Sequence, residues 1–128
     1  MPAWSDYKKH AQERGSLAFE VYVAVSSLEK PIEEFQKILP EHIGYVQKLE
    51  REGHLMCAGP LSDTTGELME ATGMLVIRAN SLEKARELID NDPAHKAGIR
   101  TSVIRRWLIN EGRFNISVGL STGSVDLS

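Results

Sequence analysis

A single cysteine in 128 residues excludes an internal disulfide and most cysteine-based metal sites. Positive charge is not in excess. Lys and Arg total 15 against 18 Asp and Glu, a net charge of −3, so there is no electrostatic case for a nucleic-acid or anionic-membrane partner. No apolar run is long enough to span a bilayer, and no charged-then-apolar leader opens the sequence; the expectation is a cytoplasmic protein. Asn115-Ile116-Ser117 matches a glycosylation sequon, which carries no weight without a secretory signal. There is no GxGxxG, Walker loop, HExxH or paired-cysteine motif. Four scattered histidines do not make a metal site without a shared face. The expectation is that neither a cofactor nor a metal is needed. Internal repeats and linkers are also missing, so the sequence reads as one domain able to bury a core without staples.

What is present is organised around residues 41–60, EHIGYVQKLEREGHLMCAGP. His42, Val46 and Leu49 share one helix face by their spacing, and Gln47, Lys48, Glu50 and Arg51 occupy the solvent side. Gly53 supplies the stop, as a residue tolerant of positive φ does at a helix end. Leu55-Met56-Cys57-Ala58 then fits a strand buried on both faces. A histidine therefore begins the core-facing stripe of a helix, and there the sequence hints at chemistry.

Before this centre, residues 1–16 read as a partly ordered polar arm, with a short helix from Ser5 capped by Ser5 or Asp6. In a sharper version Trp4 and Tyr7 dock on the domain or on a partner subunit. Residues 17–109 make the domain and 110–128 a C-terminal extension. Residues 17–25 (LAFEVYVAV) read as the first strand, ended by Ser26 and Ser27, with Phe19, Val21, Val23 and Val25 on one face and Tyr22 on the other. Pro31 fits a first helical turn. Pro40 is expected to interrupt that helix and open the next. After the centre, Ser62-Asp63-Thr64-Thr65-Gly66 signals a turn and residues 73–79 a strand. Asn80 opens a helix, paired with Glu83 in a capping-box-like way, and Asn91-Asp92-Pro93 stops it. Residues 101–109 are the last core strand. Phe114, Ile116, Val118 and Leu120 alternate strictly, which reads as an extra strand.

The order of elements is βαββαβ, with a helix pair as the first α segment. That is an α+β, ferredoxin-like arrangement: an antiparallel sheet with helices on one face. The uncovered face must be buried somewhere, and homodimerisation into a barrel of two sheets is the expected solution. The tail strand can then cross to the partner and cover a sheet edge.

Several segments together resemble the YciI-like (YCII-related) family of small dimeric α/β-barrel proteins. They are Glu41-His42-Ile43, Tyr45-Val46-Gln47-Lys48-Leu49, Gly53-His54-Leu55, Ala58-Gly59-Pro60-Leu61, Gly73-Met74-Leu75-Val76-Ile77, Ser81-Leu82-Glu83-Lys84-Ala85, Asp92-Pro93 and Ala97-Gly98. The resemblance implies an active site built on a helix histidine and the aspartate of the Asp-Pro turn, here His42 and Asp92. It also implies kinship with muconolactone isomerase-like and chlorohydroxyquinol dehydrochlorinase proteins. The arm and tail lie outside the family core and point to a subfamily with its own pocket closure.

Histidine accepts and returns protons near neutral pH, and a carboxylate on its other nitrogen fixes its tautomer and stabilises its charged form. His42 is thus the catalytic candidate with Asp92 orienting it. The plainer alternatives are a core histidine bonded to a carbonyl, and an aspartate that caps a turn. Gly59 and Pro60 either end a strand or border the pocket mouth, where Gly59 lets a ligand approach the backbone. Tyr22 lines a pocket or a dimer interface. His95 can face the pocket from beyond Asp-Pro. Arg100, with Arg105 and Arg106, can hold a substrate oxyanion, although such clusters are mostly solvated faces. His54 reads as exposed, His10 as inert, and Cys57 as a buried small hydrophobe unsuited to nucleophilic attack.

Three functions fit these residues. The first is a cofactor-independent lyase or isomerase that moves a proton on a cyclic intermediate of aromatic breakdown, by lactone isomerisation or dehydrochlorination. The second is a non-catalytic dimeric protein that binds a small ligand. The third is a monooxygenase-like member that uses substrate and oxygen alone.

Overall fold

The computed structural model describes residues 1–128. Along the chain run α1 (Trp4–Glu13), β1 (Phe19–Leu28), α2 (Ile32–Arg51), β2 (Leu55–Leu61), β3 (Thr72–Ile77), α3 (Leu82–Asp90), α4 (Pro93–Lys96), β4 (Arg100–Ile109), β5 (Ile116–Val118) and β6 (Val125–Leu127). The sheet order is β2-β3-β1-β4, with β3 antiparallel to both β1 and β2. The class is α+β and the topology ferredoxin-like, as the pattern implied. No helix is long and apolar enough to cross a membrane. The chain forms two compact units, residues 20–107, and residues 1–19 with 108–128.

In the larger unit, alternation along β1 and β3 sends Tyr22, Ala24, Leu75 and Ile77 to the side covered by helices. There they form one core with Leu49, Leu55, Ala85, Leu88 and Ile89. Their neighbours Val23, Val25 and Met74 fall on the other side of the sheet. The serines do not end β1, because Ser26 continues the buried face and pairs with Gly73.

The expected helix pair is one 20-residue helix with Pro40 inside it. Proline removes a hydrogen bond and costs about 3 kcal/mol in a helix interior. The apolar stripe nevertheless runs in register through it, from Phe35 and Leu39 to His42, Val46 and Leu49. Packing that continuous face outweighs the lost bond. Gly53 stops the helix with φ +80. Its N–H reaches the Glu50 carbonyl at 3.0 Å, and that of His54 reaches Leu49 at 2.9 Å, the paired bonds of a Schellman stop.

β2 corrects a second expectation. It is an edge strand and runs on through Gly59 and Pro60 to Leu61, so Leu55 is buried while Cys57 is exposed. Pro60 is tolerated because an edge strand leaves one row of its N–H groups unpaired. Ser81, not Asn80, caps α3, accepting from the Lys84 N–H at 3.0 Å.

In the smaller unit, α1 starts one residue earlier than expected, after Ala3 and without a side-chain cap. Trp4 and Ala11 pack with Ala18 and Leu108. The tail forms a two-stranded hairpin. Of the alternating residues 114–120 only Ile116 and Val118 lie in β5, which pairs with β6.

Candidate active site

One face of α2 and the strands it covers enclose a cavity of about 440 Å³. Ile32, Phe35, Leu39, His42, Ile43 and Val46 come from the helix. Ala58, Gly59 and Pro60 come from β2, Leu75 from β3, and Ser26 and Arg100 from β1 and β4. The lining is apolar apart from a few groups, the usual composition of a small-molecule site.

His42 stands on this wall with its side chain 18% exposed, and its Nδ1 lies 2.8 Å from Oδ1 of Asp92. Asp92 sits at the start of α4, where Pro93 occupies the first helical turn. Its side chain makes no cap bond to that helix. Instead its other oxygen, Oδ2, lies 2.6 Å from Nδ1 of His95, whose Nε2 is 2.6 Å from Ser102 Oγ. Ser102, His95, Asp92 and His42 thus form a continuous chain in which every link but His42 is nearly closed to solvent.

Burial disfavours a charged Asp92, but hydrogen bonds from His42 and His95 outweigh it and hold the carboxyl well below the usual carboxylate range. An ionised Asp92 only accepts, so both histidines donate through Nδ1–H. The basic lone pair of His42 is then on Nε2, which has no protein partner, and His95 Nε2 accepts from the Ser102 hydroxyl. Tyr45, one turn beyond His42, donates its hydroxyl to the Leu88 carbonyl and ties α2 to α3. Burial, followed by the charge of Asp92, raises its pKa.

Arg100 is the cationic group of the cavity lining and is only 6% exposed. Nε donates to Ser26 Oγ at 2.7 Å, and Nη2 donates to the carbonyls of Ser26 and Ala71. Its guanidinium carbon lies 4.7 Å from the centroid of Phe35, and the same ring meets His42 edge-on at 5.3 Å. Burial lowers the Arg100 pKa, and the charge of Asp92 pushes it back up. Ala71 holds a left-handed φ of +60, a strained setting for a residue with a Cβ. It also presents the carbonyl that Arg100 grips.

The fold therefore brings His42, Gly59, Pro60 and Arg100 to one cavity, with Asp92 directly behind His42. Two expected ligand contacts are corrected. Tyr22 is 4% exposed within the core cluster, because Leu49, Leu88 and Ile89 fill the helix-side space at its position on β1. His95 points away from the cavity toward Asp92 and Ser102, because its position three residues after Asp92 folds it back over the α4 turn. The arginine cluster also disperses. Arg106 pairs with Glu20 at 3.9 Å, and Arg105 lies on the opposite strand face from Arg100. His54 is partly exposed, 3.9 Å from Glu52. His10 lies on α1 and is exposed.

Sequence reasoning missed Phe35, Ser26, Ala71 and Ser102. Nothing in a lone serine or alanine announces a partner dozens of residues away. Phe35 lies seven residues before His42 on one stripe of α2, which the expected break at Pro40 concealed.

The YCII-related domain matches residues 18–108 of this sequence. The chain belongs to that family. Within it, the YCII-domain protein is 33% identical over 76 residues to Uncharacterized protein YjpA of Bacillus subtilis (strain 168), covering 59% of this chain and 82% of YjpA. Among solved structures it matches 5-chloro-2-hydroxyhydroquinone dehydrochlorinase (TftG) from Burkholderia phenoliruptrix AC1100, in complex with 2,5-dihydroxybenzoquinone. The TM-score is 0.52 at 20% identity, over 67% of this chain and 92% of that one. At that identity the likeness establishes the YCII-domain fold, and the site has to speak for the chemistry.

Proposed function

We propose that this YCII-domain protein is a small-molecule lyase or isomerase in which His42 transfers a proton and Asp92 orients it and stabilises the imidazolium that forms. The observation that carries this reading is a cavity-wall imidazole whose Nδ1 donates to a buried carboxylate, which leaves a basic Nε2 on the ligand side. Nε2 takes a proton from a carbon or hydroxyl of the bound substrate, and the imidazolium is stabilised by Asp92 at 2.8 Å. In an isomerisation the same proton returns to another atom. In an elimination the electron pair released by deprotonation forms the new double bond, and the leaving group departs with the electrons of its own bond. Proton transfer of this kind contributes about 10²–10⁴-fold, and positioning in the cavity supplies more. A dehydrochlorinase on the same fold makes a cyclic, oxygen-rich substrate the first class to try: a lactone, or a chlorinated hydroxyquinol.

The working unit in this proposal is a homodimer formed through the sheet face opposite the helices. Val25, Val103 and Trp107 are 40%, 60% and 41% exposed there, and these exposed apolar side chains, with Arg105 between two of them on β4, support an interface.

The test is turnover of a lactone and of a chlorinated hydroxyquinol by wild type and His42→Gln, with thermal melting followed in parallel. Glutamine keeps polarity and approximate shape but takes no proton near neutral pH. A folded His42→Gln with wild-type turnover ends the assignment. Ligand binding without turnover of any isomerisable analogue favours the non-catalytic binding protein.

A further inference from the structure

Arg100 is a buried cation whose protein partners are all neutral. Of its five N–H donors, three are taken by Ser26 Oγ and the carbonyls of Ser26 and Ala71, and both hydrogens of Nη1 are left without a protein acceptor. Asp92, the carboxylate that acts on it electrostatically, is already held by His42 and His95. A desolvated guanidinium in an apolar wall is costly unless an anion meets it. The three spent donors clamp the group rigidly, and Phe35 backs its face at 4.7 Å, so the remaining edge is fixed in direction before any ligand arrives.

We propose that the cavity takes a monoanionic ligand, an oxyanion on a compact apolar body of about one ring, and that Arg100 is its anion-binding residue. Three observations converge on this class. The walls contributed by Ile32, Leu39, Val46 and Leu75 are apolar. A volume of about 440 Å³ lies in the lower part of the range for small-molecule pockets. Phe35 touches both Arg100 and His42, so an oxyanion on the guanidinium leaves the ligand body within one ring's breadth of the His42 imidazole. An anion held at Arg100 also keeps negative charge where deprotonation by His42 would develop it. The inference thus deepens the proton-transfer reading by naming the substrate class of the same site.

The oxyanion can be a carboxylate or a phenolate or enolate, and two matched probe pairs separate these: benzoate with benzamide, and 4-nitrophenolate with nitrobenzene. Isothermal titration of the full chain is expected to show at least one anion binding about tenfold or more tightly than its neutral partner. A preference for benzoate assigns a carboxylate, and one for 4-nitrophenolate a phenolate or enolate. Arg100→Met is expected to abolish the preference and keep affinity for the neutral probe within about twofold. Equal binding within both pairs, no binding of any probe, or a preference that survives in Arg100→Met overturns the inference. If Arg100→Met does not fold, having lost its bonds to Ser26 and Ala71, the wild-type pairs decide alone. His42→Gln is expected to retain the preference. Lost turnover with retained preference therefore speaks to His42, and absent preference with intact turnover sinks the anion assignment only.

Discussion

His42 and Asp92 are separated by 50 residues in sequence and by 2.8 Å in space, Nδ1 to Oδ1. The helix that carries His42 turns its apolar stripe onto the sheet, and the Asp-Pro turn after α3 delivers the carboxylate to the same place. The other oxygen of Asp92 is held by His95 at 2.6 Å, so the carboxylate cannot swing away from His42 without breaking a second short bond.

If the two act as one proton-transfer unit, their substitutions are non-additive. His42→Gln and Asp92→Asn are each expected to lower kcat/KM by about 10²-fold or more. The double variant should lie within about tenfold of the worse single variant. Independent, multiplying losses in a steady-state comparison of all four proteins would show that Asp92 does not work through His42.

Asp92 also predicts an acid limb in stability. Its folded pKa lies below its unfolded value, despite burial, because two histidines hydrogen-bond the ionised form. The stability it contributes is therefore fully present above the unfolded carboxylate value of about 3.9 and is lost as pH falls below it toward the folded value. Urea melts between about pH 2 and pH 7 should show wild type losing its advantage over Asp92→Asn below about pH 4. A constant difference across that range would mean that the carboxylate's charge does not contribute.

The proposed dimer makes a prediction that leaves the cavity alone. Val103 and Trp107 project from the side of the sheet opposite the helices, and neither lines the cavity. Light scattering of the wild type at micromolar concentration should give twice 14.3 kDa. Val103→Lys should shift the species to the monomer, because a charge opposite an apolar partner face is desolvated without a counter-ion. A wild-type monomer would refute dimerisation, and an unchanged Val103→Lys dimer would move the interface elsewhere.

Much of the larger unit was legible because its signals are local. The alternation of residues 17–25 and 73–79, the three-four spacing from His42 to Leu49, the Gly53 stop and the Asp92-Pro93 break each act within a few residues. They state their conformation regardless of what packs on them. The errors share one cause. Pro40 reads as a break because local chemistry penalises it, yet a stripe that continues on both sides of it is worth more when the sheet covers all of it. The segment around Cys57 reads as doubly buried because it is apolar, yet hydrophobicity says nothing about a strand's place in sheet order, and β2 is at the edge.

The site divides along the same line. A histidine on the buried stripe of a helix is a sequence property that marked His42 as a candidate, and the family resemblance of the Asp92-Pro93 segment added Asp92. That Asp92 spans two imidazoles, that His95 turns to Ser102 and away from the cavity, and that Arg100 rests on Phe35 with neutral partners were decided only when β1, β4, α2 and α4 came together. Side-chain direction on a short turn and the partners of a buried charge depend on contacts between residues distant in sequence. Spacing along the chain carries no information about them until the sheet order and the helix placement are set.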